Sequence, residues 1–374
     1  MHKILILTAS TGEGHNQAAN SLMEVFKDNG DCVIKFDFLK EGDRILNYLV
    51  SDGYEILAKK APKMYGKLYK KTDTIKINRK IVKKVSIFAE HKLCKFIKKQ
   101  QPDIIIGTHP FSVAIVSKLK EKGNIDIPFI SIVTDFKAHY TYIDQNVDAY
   151  ITANEYTKDS LVLKNVPKYK VFPYGIPIRN EFYNLPYLKC MEKGIFSILI
   201  MSGSMGLKGM EYLIKELKNN KNKLKITVVC GNNKVLYKKL KEEYENIEGN
   251  INYKILGFTT EVPELMSEAN VIISKPGGLT VSESISRELP MIIPFAIPGQ
   301  EEENSDFLVS KGVAILLKEK SDLNKMVNKL VKNPNILNLM KNNIKNIKVG
   351  NKEKNIIDLA NKCISKYEKK YKVS

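Results

Sequence analysis

The chain has 374 residues, too many for one hydrophobic core and enough for two domains of ordinary size. Its 43% apolar and 27% charged residues indicate a folded protein rather than a disordered one. The formal net charge of +19 favours an anionic partner, either a nucleic acid or an acidic membrane surface, although a composition rich in Lys, Asn and Ile accounts for part of it equally well.

The predicted elements of the first half begin at the N-terminus. Short apolar runs alternate with segments of helical period, which is typical of an α/β fold, and several runs are apolar without alternation, as buried parallel strands are. Strands are predicted at Lys3–Thr8, Cys32–Phe36, Asp103–Gly107, Pro128–Val133 and Asp148–Thr152, and helices at 14–29 and 110–122.

The second half repeats this plan, so the sequence predicts two doubly wound domains. The domain bounds are expected at 1–180 and 181–350, with a last helix in 351–374, because Pro and Gly interrupt any regular pattern over 172–194. Strands are predicted at Phe196–Met201, Lys225–Cys230, Asn252–Leu256, Asn270–Ser274 and Met291–Pro294, and helices at 207–219, 233–247, 279–288, 303–311, 320–332 and Asn355–Tyr371.

The five cysteines are scattered and form no C-x-x-C pair, so neither a disulfide framework nor a zinc site is predicted. No apolar run approaches the roughly 20 residues that span a bilayer. The apolar start, Ile4–Leu7, is too short for a signal peptide. These features predict a cytosolic protein, free to sit on a membrane from that side.

The loop after the first predicted strand is the first candidate site, because ligands of open parallel sheets bind beyond the carboxyl ends of the strands. Glycines in the Gly12–His15 turn allow a sharp bend and close approach of a ligand, although an ordinary tight turn explains them equally well. A cationic imidazole is disfavoured at a helix N-terminus. His15 is therefore expected to be neutral near pH 7 and able to accept a proton.

Two further histidines, His109 and His139, follow the next predicted strands. Each alone is explained as a loop or helix-capping residue, but three of the five histidines at one predicted sheet edge point to a site. Asp135, in the loop before His139, could orient a histidine, bind an acceptor or cap a helix.

Glycine loops in the second half are suited to phosphate. Ser202–Gly206 follows a strand and precedes a helix, so its N–H groups can face a diphosphate. It departs from G-x-G-x-x-G, and the next strand runs into Asn232 rather than an acidic residue, so NAD binding is not expected.

The densest cluster of candidate residues starts at Lys275–Gly278. Two glycines open a helix there, Thr280 adds a hydroxyl, and Glu283 lies one turn on, where a carboxylate can bind two ribose hydroxyls. In the later Pro298–Asn304 segment, amide and carboxylate groups suit a polyol, although an acidic first helical turn would also complement the helix dipole.

A basic segment covers residues 59–99, with fifteen Lys or Arg and two acids, Asp73 and Glu90. Apolar and tyrosine residues are interleaved with the cations, which suits an anionic membrane surface. A solvated basic helix face is the alternative. Nucleic-acid binding is not expected, since no nucleic-acid-binding module accompanies the charge.

Together these motifs resemble the monogalactosyldiacylglycerol synthase and processive diacylglycerol β-glucosyltransferase family, a relative of the N-acetylglucosaminyltransferase MurG. The resemblance runs from residue 3 to about residue 340. Thr11 departs from the pattern, where an aromatic residue is frequent. The motifs are Ile4–Ser10, Gly12–His15, Val133–Phe136, Tyr174–Pro177, Ser274–Gly278 and Pro298–Asn304.

The resemblance implies a GT-B fold: two Rossmann-like doubly wound parallel-sheet domains facing a cleft, with the last helix returning to the N-terminal domain. It implies an inverting transfer of glucose or galactose from a UDP-sugar in the C-terminal domain to 1,2-diacylglycerol in the N-terminal domain. The expected site residues are His15 and Asp135 for catalysis, Gly14, His109 and His139 for the acceptor, and Gly203, Ser204, Met205, Asn232, Phe258, Lys275, Gly277, Gly278, Thr280, Glu283, Gln300, Glu301 and Asn304 for the UDP-sugar.

Within the site, the resemblance sets Gly203, Ser204 and Met205 against the diphosphate, Phe258 near the uracil and Glu283 at the ribose. No Asp-x-Asp motif occurs, so neither a metal nor another cofactor is expected. The protein is expected at the cytoplasmic face of the membrane, bound to anionic lipids through the basic segment.

Three rival functions stay open on the sequence. They are a MurG-like UDP-GlcNAc transferase acting on a polyprenyl-linked acceptor, a non-hydrolysing UDP-GlcNAc 2-epimerase, and a catalytically idle, membrane-bound UDP-sugar sensor.

Overall fold

The structure, a computed structural model, describes residues 1–10, 13–41, 61–74, 87–185, 194–201, 209–245, 247 and 249–372. The chain divides into two compact units. The first consists of Met1–Arg179, Ile297–Gln300 and Val349–Ser374, and the second of Asn180–Ala296 and Glu301–Lys348.

The first unit contains a parallel six-stranded sheet with the order β2-β1-β3-β4-β5-β6. This order makes the carboxyl ends of β1, β3 and β4 neighbours, so the loops that follow them share one sheet edge. The strands are β1 Lys3–Thr8, β2 Cys32–Asp37, β3 Ile104–Gly107, β4 Phe129–Ile132, β5 Ala149–Ile151 and β6 Val171–Phe172.

Helices cover both faces of this sheet. Ile4 and Ile6 of β1 face a cluster that includes Ile356 and Ala360 of the C-terminal helix, while Leu5 and its neighbours pack on the opposite face. Burial on both faces explains why these strands are apolar without alternation. The helices are α1 Glu13–Asp28, α2 Phe38–Glu41, α3 Pro62–Thr72, α4 Ile87–Gln100, α5 Pro110–Glu121, α6 Glu155–Leu163 and α15 Glu353–Lys372, with a 3₁₀ turn at Tyr140–Tyr142.

The second unit contains another parallel six-stranded sheet, with the order β12-β11-β10-β7-β8-β9. Its strands are β7 Phe196–Met201, β8 Leu224–Val229, β9 Ile251–Leu256, β10 Val271–Ile273, β11 Met291–Ile293 and β12 Ala314–Leu316. Its helices are α7 Glu181–Asn184, α8 Met210–Leu217, α9 Lys234–Tyr244, α10 Val262–Glu268, α11 Gly278–Ser286, α12 Gln300–Ser310, α13 Leu323–Lys332 and α14 Pro334–Ile347.

The predicted fold class is confirmed, and all ten predicted strands are present. Each sheet also has a short edge strand, β6 or β12, which was not predicted from the sequence. The helix predicted at 303–311 begins at Gln300 instead. Gln300 and Glu301 therefore lie in its first turn, where acidic residues complement the helix dipole.

Among the described residues, no helix is both long enough and apolar enough to cross a membrane.

Candidate functional site

His15 lies in the first turn of α1, directly after the loop that leaves β1. Its Nδ1 is 2.8 Å from the carbonyl oxygen of Thr108 and 3.1 Å from Oγ1 of Thr134. Because a carbonyl oxygen only accepts, Nδ1 carries the ring proton. Nε2 then holds a lone pair, and no hydrogen bond to Nε2 is made by the part of the chain that the structure describes.

The pKa of His15 is lowered to about 4, because the ring is buried, an effect that the Thr108 carbonyl partly offsets. The His109 ring lies 4.5 Å from it, edge to face. Burial, together with His15, also holds the pKa of His109 well below its usual value. Both rings are therefore neutral at pH 7, as expected for His15, although burial is the main cause.

His109 is the N-cap residue of α5. Its Nδ1 accepts a hydrogen bond of 3.1 Å from the backbone N–H of Phe111, and Pro110 follows at the first helical position. The capping interpretation left open by the sequence is thus observed, and His109 also contacts His15. Gly14, partly exposed, precedes His15 in α1.

His139 is not part of the His15–His109 pair. It caps the 3₁₀ turn, with Nδ1 accepting from the backbone N–H of Thr141 at 3.2 Å. Its Nε2 donates to the Tyr69 carbonyl of α3 at 3.1 Å, and its ring centroid lies 4.5 Å from that of Tyr69, with the two planes tilted by 42°. His139 thus joins the 3₁₀ turn to α3, and its acceptor-binding role stays a prediction.

Asp135 is 5% exposed and lies in the turn after β4. Its carboxylate accepts a hydrogen bond from Nε2 of Gln300, which belongs to the same unit. The sequence assigned these two residues to catalysis and to the sugar donor respectively. The structure brings them together.

In the second unit, Gly277 is the N-cap residue of α11, directly after β10 and the Lys275–Pro276 step. Its φ of −68° suits any residue, and a Cβ added there would meet no atom within 4 Å. Neither backbone strain nor crowding requires glycine at this position. Close approach of a ligand to the helix N-terminus stays the predicted reason for it.

The first turn of α12 is tied to this loop. Lys275 Nζ lies 2.8 Å from Glu301 Oε1, and both side chains are 13% exposed. Asn304 is fully buried and donates to the Pro276 carbonyl at 2.9 Å. Glu301 and Asn304 therefore support the loop, while their contacts with a sugar stay predictions.

Four other predicted donor residues lie at or near the carboxyl ends of strands in this unit. Thr280 and Glu283 are partly exposed and, three positions apart on α11, share one face of the helix. Phe258, just after β9, is 69% exposed, and Asn232 lies in the exposed turn after β8. Gly203, Ser204 and Met205 lie outside the described residues.

Two family models match the chain: "Monogalactosyldiacylglycerol (MGDG) synthase" over residues 15–178 and "Glycosyltransferase family 28 C-terminal domain" over residues 197–359. Processive diacylglycerol β-glucosyltransferases are among its relatives. One from Bacillus mycoides is 32% identical over 86% of this chain and 83% of its own length. Another from Bacillus cereus is 31% identical over 95% and 92%. The chain belongs to this glycosyltransferase family.

Solved structures agree with the GT-B fold of the family. MurG of Acinetobacter baumannii matches with a TM-score of 0.65 at 18% identity, over 97% of this chain and all of that one. The MnaA–UDP structure of Staphylococcus aureus matches with a TM-score of 0.60 at 11% identity, over 96% and 95%. At such low identity these likenesses establish the fold alone.

Three residues that contact the predicted site were not predicted from the sequence: Thr108, Thr134 and Tyr142. Thr and Tyr are common residue types, and only their positions beside His109 and Asp135 could have drawn attention to Thr108 and Thr134. Among the described residues, no group of His, Cys, Asp and Glu is arranged to hold a metal ion.

Proposed function

We propose that this glycosyltransferase moves a glucosyl group from UDP-glucose to the free hydroxyl of 1,2-diacylglycerol, and that the glucolipid formed is itself an acceptor for a further transfer. The names of its relatives support diacylglycerol, glucose and repeated transfer. A galactosyl donor is the second candidate, supported by the name of the N-terminal family model. The observation that carries the chemistry is a neutral His15 whose Nε2 holds a lone pair.

His15 acts as the general base in this proposal. Nε2 takes the proton of the lipid hydroxyl while the hydroxyl oxygen bonds to the anomeric carbon. The bond from that carbon to the diphosphate oxygen breaks, and UDP leaves with the electron pair. Attack from the face opposite UDP inverts the α-linked donor, so the product is a β-glucoside, in keeping with the relatives' name.

The second unit supplies the donor site. The N-terminus of α11 presents backbone N–H groups at Gly278, and Lys275 adds a cation close by in sequence. Both stabilise the negative charge that grows on the diphosphate as UDP departs. Glu283 is assigned to the ribose and the exposed ring of Phe258 to the uracil, since aromatic faces stack on bases.

Helix α3 is the membrane-contacting element of the proposal. Met64 and Leu68, one turn apart, are 57% and 47% exposed, and the lysines at 63, 67, 70 and 71 are exposed around them. Tyr65 and Gly66 of the same helix are buried. Apolar residues ringed by cations suit an anionic bilayer surface. Residues 75–86 of the basic segment lie outside the described residues.

The fixed C-terminal end of α3 supports this assignment. Asp73, just after the helix, accepts from the Tyr140 backbone N–H at 2.9 Å and from Lys164 Nζ at 2.7 Å. These contacts join the C-terminal end of α3 to Tyr140 and Lys164.

The deciding experiment incubates the protein with diacylglycerol in anionic vesicles and, separately, UDP-glucose, UDP-galactose or UDP-GlcNAc, and identifies lipid products by mass spectrometry. We expect mono- and then diglucosyldiacylglycerol. If only galactolipid forms, the donor is UDP-galactose rather than UDP-glucose. UDP-sugar binding without turnover would support the idle sensor, and lipid-independent conversion of UDP-GlcNAc would support the epimerase; either result would overturn the proposal.

A further inference from the structure

A chain of hydrogen bonds runs from His15 through two buried hydroxyls, those of Thr134 and Tyr142, toward the Asp135 carboxylate. Thr134 Oγ1 lies 3.1 Å from His15 Nδ1 and 2.9 Å from the Tyr142 hydroxyl. The Asp135 carboxylate lies close enough to the Tyr142 hydroxyl to raise the pKa of this phenol. Thr134 is 6% exposed and Tyr142 1%, so water does not compete for these contacts.

The direction of every hydrogen bond in this chain follows from the partners. Burial, followed by the nearby Asp135, raises the pKa of Tyr142 well above its usual value, so the phenol keeps its proton, which the negative charge of Asp135 attracts. With that proton used, the phenol oxygen accepts from the Thr134 hydroxyl. The Thr134 oxygen then accepts from Nδ1–H of His15, which donates to the Thr108 carbonyl as well, in a bifurcated hydrogen bond. All three donors point toward Asp135.

Such a chain matters because His15 is a weak base. Burial disfavours the imidazolium that forms when Nε2 takes a proton. By itself, the Thr108 carbonyl oxygen offers Nδ1–H only a partial negative charge. A row of aligned hydroxyl dipoles that ends on a carboxylate adds stabilisation where the positive charge develops.

We propose that Thr134 and Tyr142 are positioning residues that link the His15 ring to the Asp135 carboxylate and stabilise the imidazolium formed during transfer. The inference rests on His15 being the base of the proposed function. No proton leaves Nδ1: the acceptor proton stays on Nε2 until it is lost to solvent, and Asp135 only accepts hydrogen bonds. Gln300, which also donates to Asp135, helps to hold the carboxylate in place.

The test uses the variants Thr134→Val, Thr134→Ser, Tyr142→Phe and the double variant Thr134→Val/Tyr142→Phe in the full chain. We expect kcat to fall about tenfold in Thr134→Val and Tyr142→Phe, less than the total effect of a general base because the Thr108 carbonyl stays in place. KM for both substrates stays unchanged, and Thr134→Ser keeps wild-type kcat. The double variant is no slower than the slower single variant, because one chain is cut in both.

A matched control removes a buried threonine hydroxyl outside the chain. Thr152 is fully buried, and its hydroxyl donates to the Asn154 carbonyl. Thr152→Val keeps wild-type kcat. Unchanged kcat in Thr134→Val and Tyr142→Phe, a loss confined to KM, or additive losses in the double variant would overturn the proposal.

A spectroscopic measurement on the substrate-free protein separates this inference from the proposed function. The Nδ1–H proton of His15, assigned by its absence in His15→Ala, is followed by NMR. We expect its resonance to move in both Thr134→Val and Tyr142→Phe, and not in Thr152→Val. An unmoved resonance would refute the chain even if diacylglycerol is the acceptor, whereas a moved one with no transfer to diacylglycerol would refute only the acceptor.

Discussion

The Nδ1–H group of His15 donates to the backbone carbonyl of Thr108 over 2.8 Å, from a helix after β1 to the end of β3. A main-chain acceptor cannot be lost by substitution, so the ring tautomer is fixed by the fold itself. β1 and β3 are adjacent and parallel, with Leu7 paired to Gly107, which brings Thr108 to His15. The sheet order thereby decides which nitrogen is free to act as a base.

Replacing His15 by Ala removes the proposed base. We expect kcat to fall by about 10²- to 10⁴-fold, the usual contribution of a general base. UDP binding, measured by calorimetry, should be unchanged, because the residues assigned to the nucleoside and the diphosphate belong to the second unit. Near-normal transfer by His15→Ala would contradict the base assignment.

The low pKa of His15 predicts a change of stability with pH. An unfolded histidine titrates near pH 6.5, whereas folded His15 titrates near pH 4. Between these values the unfolded chain binds the proton and the folded one does not, so the free energy of unfolding falls as pH drops from 6.5 to 4. The free energy of unfolding, measured in urea at pH 7 and 4.5, should fall less in His15→Gln than in the wild-type protein.

His109 provides a second test of this pH dependence. Its pKa is lowered in the same direction. His109→Gln should therefore also reduce the fall. Equal falls in wild type and His15→Gln would show that His15 titrates normally in the folded state.

The strands were predictable because a parallel strand buried on both faces is a continuous apolar run. The edge strands β6 and β12 were not predicted. The two residues of β6 carry no pattern that separates them from a loop, whereas β12 lies in the apolar run 313–317, which is itself a strand signal. The start of α12 was placed too late because Gln300 and the acids after it read as a binding loop. They also form a normal first helical turn.

The site was predictable only in part, for a related reason. Loops at strand ends pointed to His15, Asp135 and the Gly277 turn. Contacts between residues distant in sequence, such as Asp135 with Gln300, depend on packing that no local pattern encodes. The capping roles of His109 and His139 were possible from sequence, but only the structure shows which nitrogen is used.

The ion pair of Lys275 and Glu301 should stabilise the donor loop. Glu301→Ala leaves a mostly buried cation without this partner. We expect a loss of about 2 kcal/mol in the free energy of unfolding and a higher KM for the UDP-sugar. Glu211→Ala is the control, since its pair with Lys239 has side chains 47% and 55% exposed and should contribute little. Equal effects of the two variants would show that Lys275 needs no partner.

Phe258 should affect donor binding and not folding. Its ring is 69% exposed, so Phe258→Ala loses little packing. If the ring stacks on uracil, UDP affinity should fall about tenfold, in line with base stacking on aromatic side chains. Val235→Ala, at a site 81% exposed in the same unit, is the control. Unchanged UDP affinity in Phe258→Ala would place the uracil elsewhere.

The exposed face of α3 gives the last prediction. Met64→Glu/Leu68→Glu replaces two apolar contacts by anions on a face of lysines. We expect this variant to lose sedimentation with vesicles that contain anionic lipid, and Lys67→Gln/Lys71→Gln to weaken it by roughly 30-fold, since each cation near the surface contributes about 1 kcal/mol. Leu339→Glu, 62% exposed in the second unit, should bind normally. Wild-type binding that is indifferent to lipid charge would contradict a role for the lysines, and normal binding of Met64→Glu/Leu68→Glu would move the membrane contact away from α3.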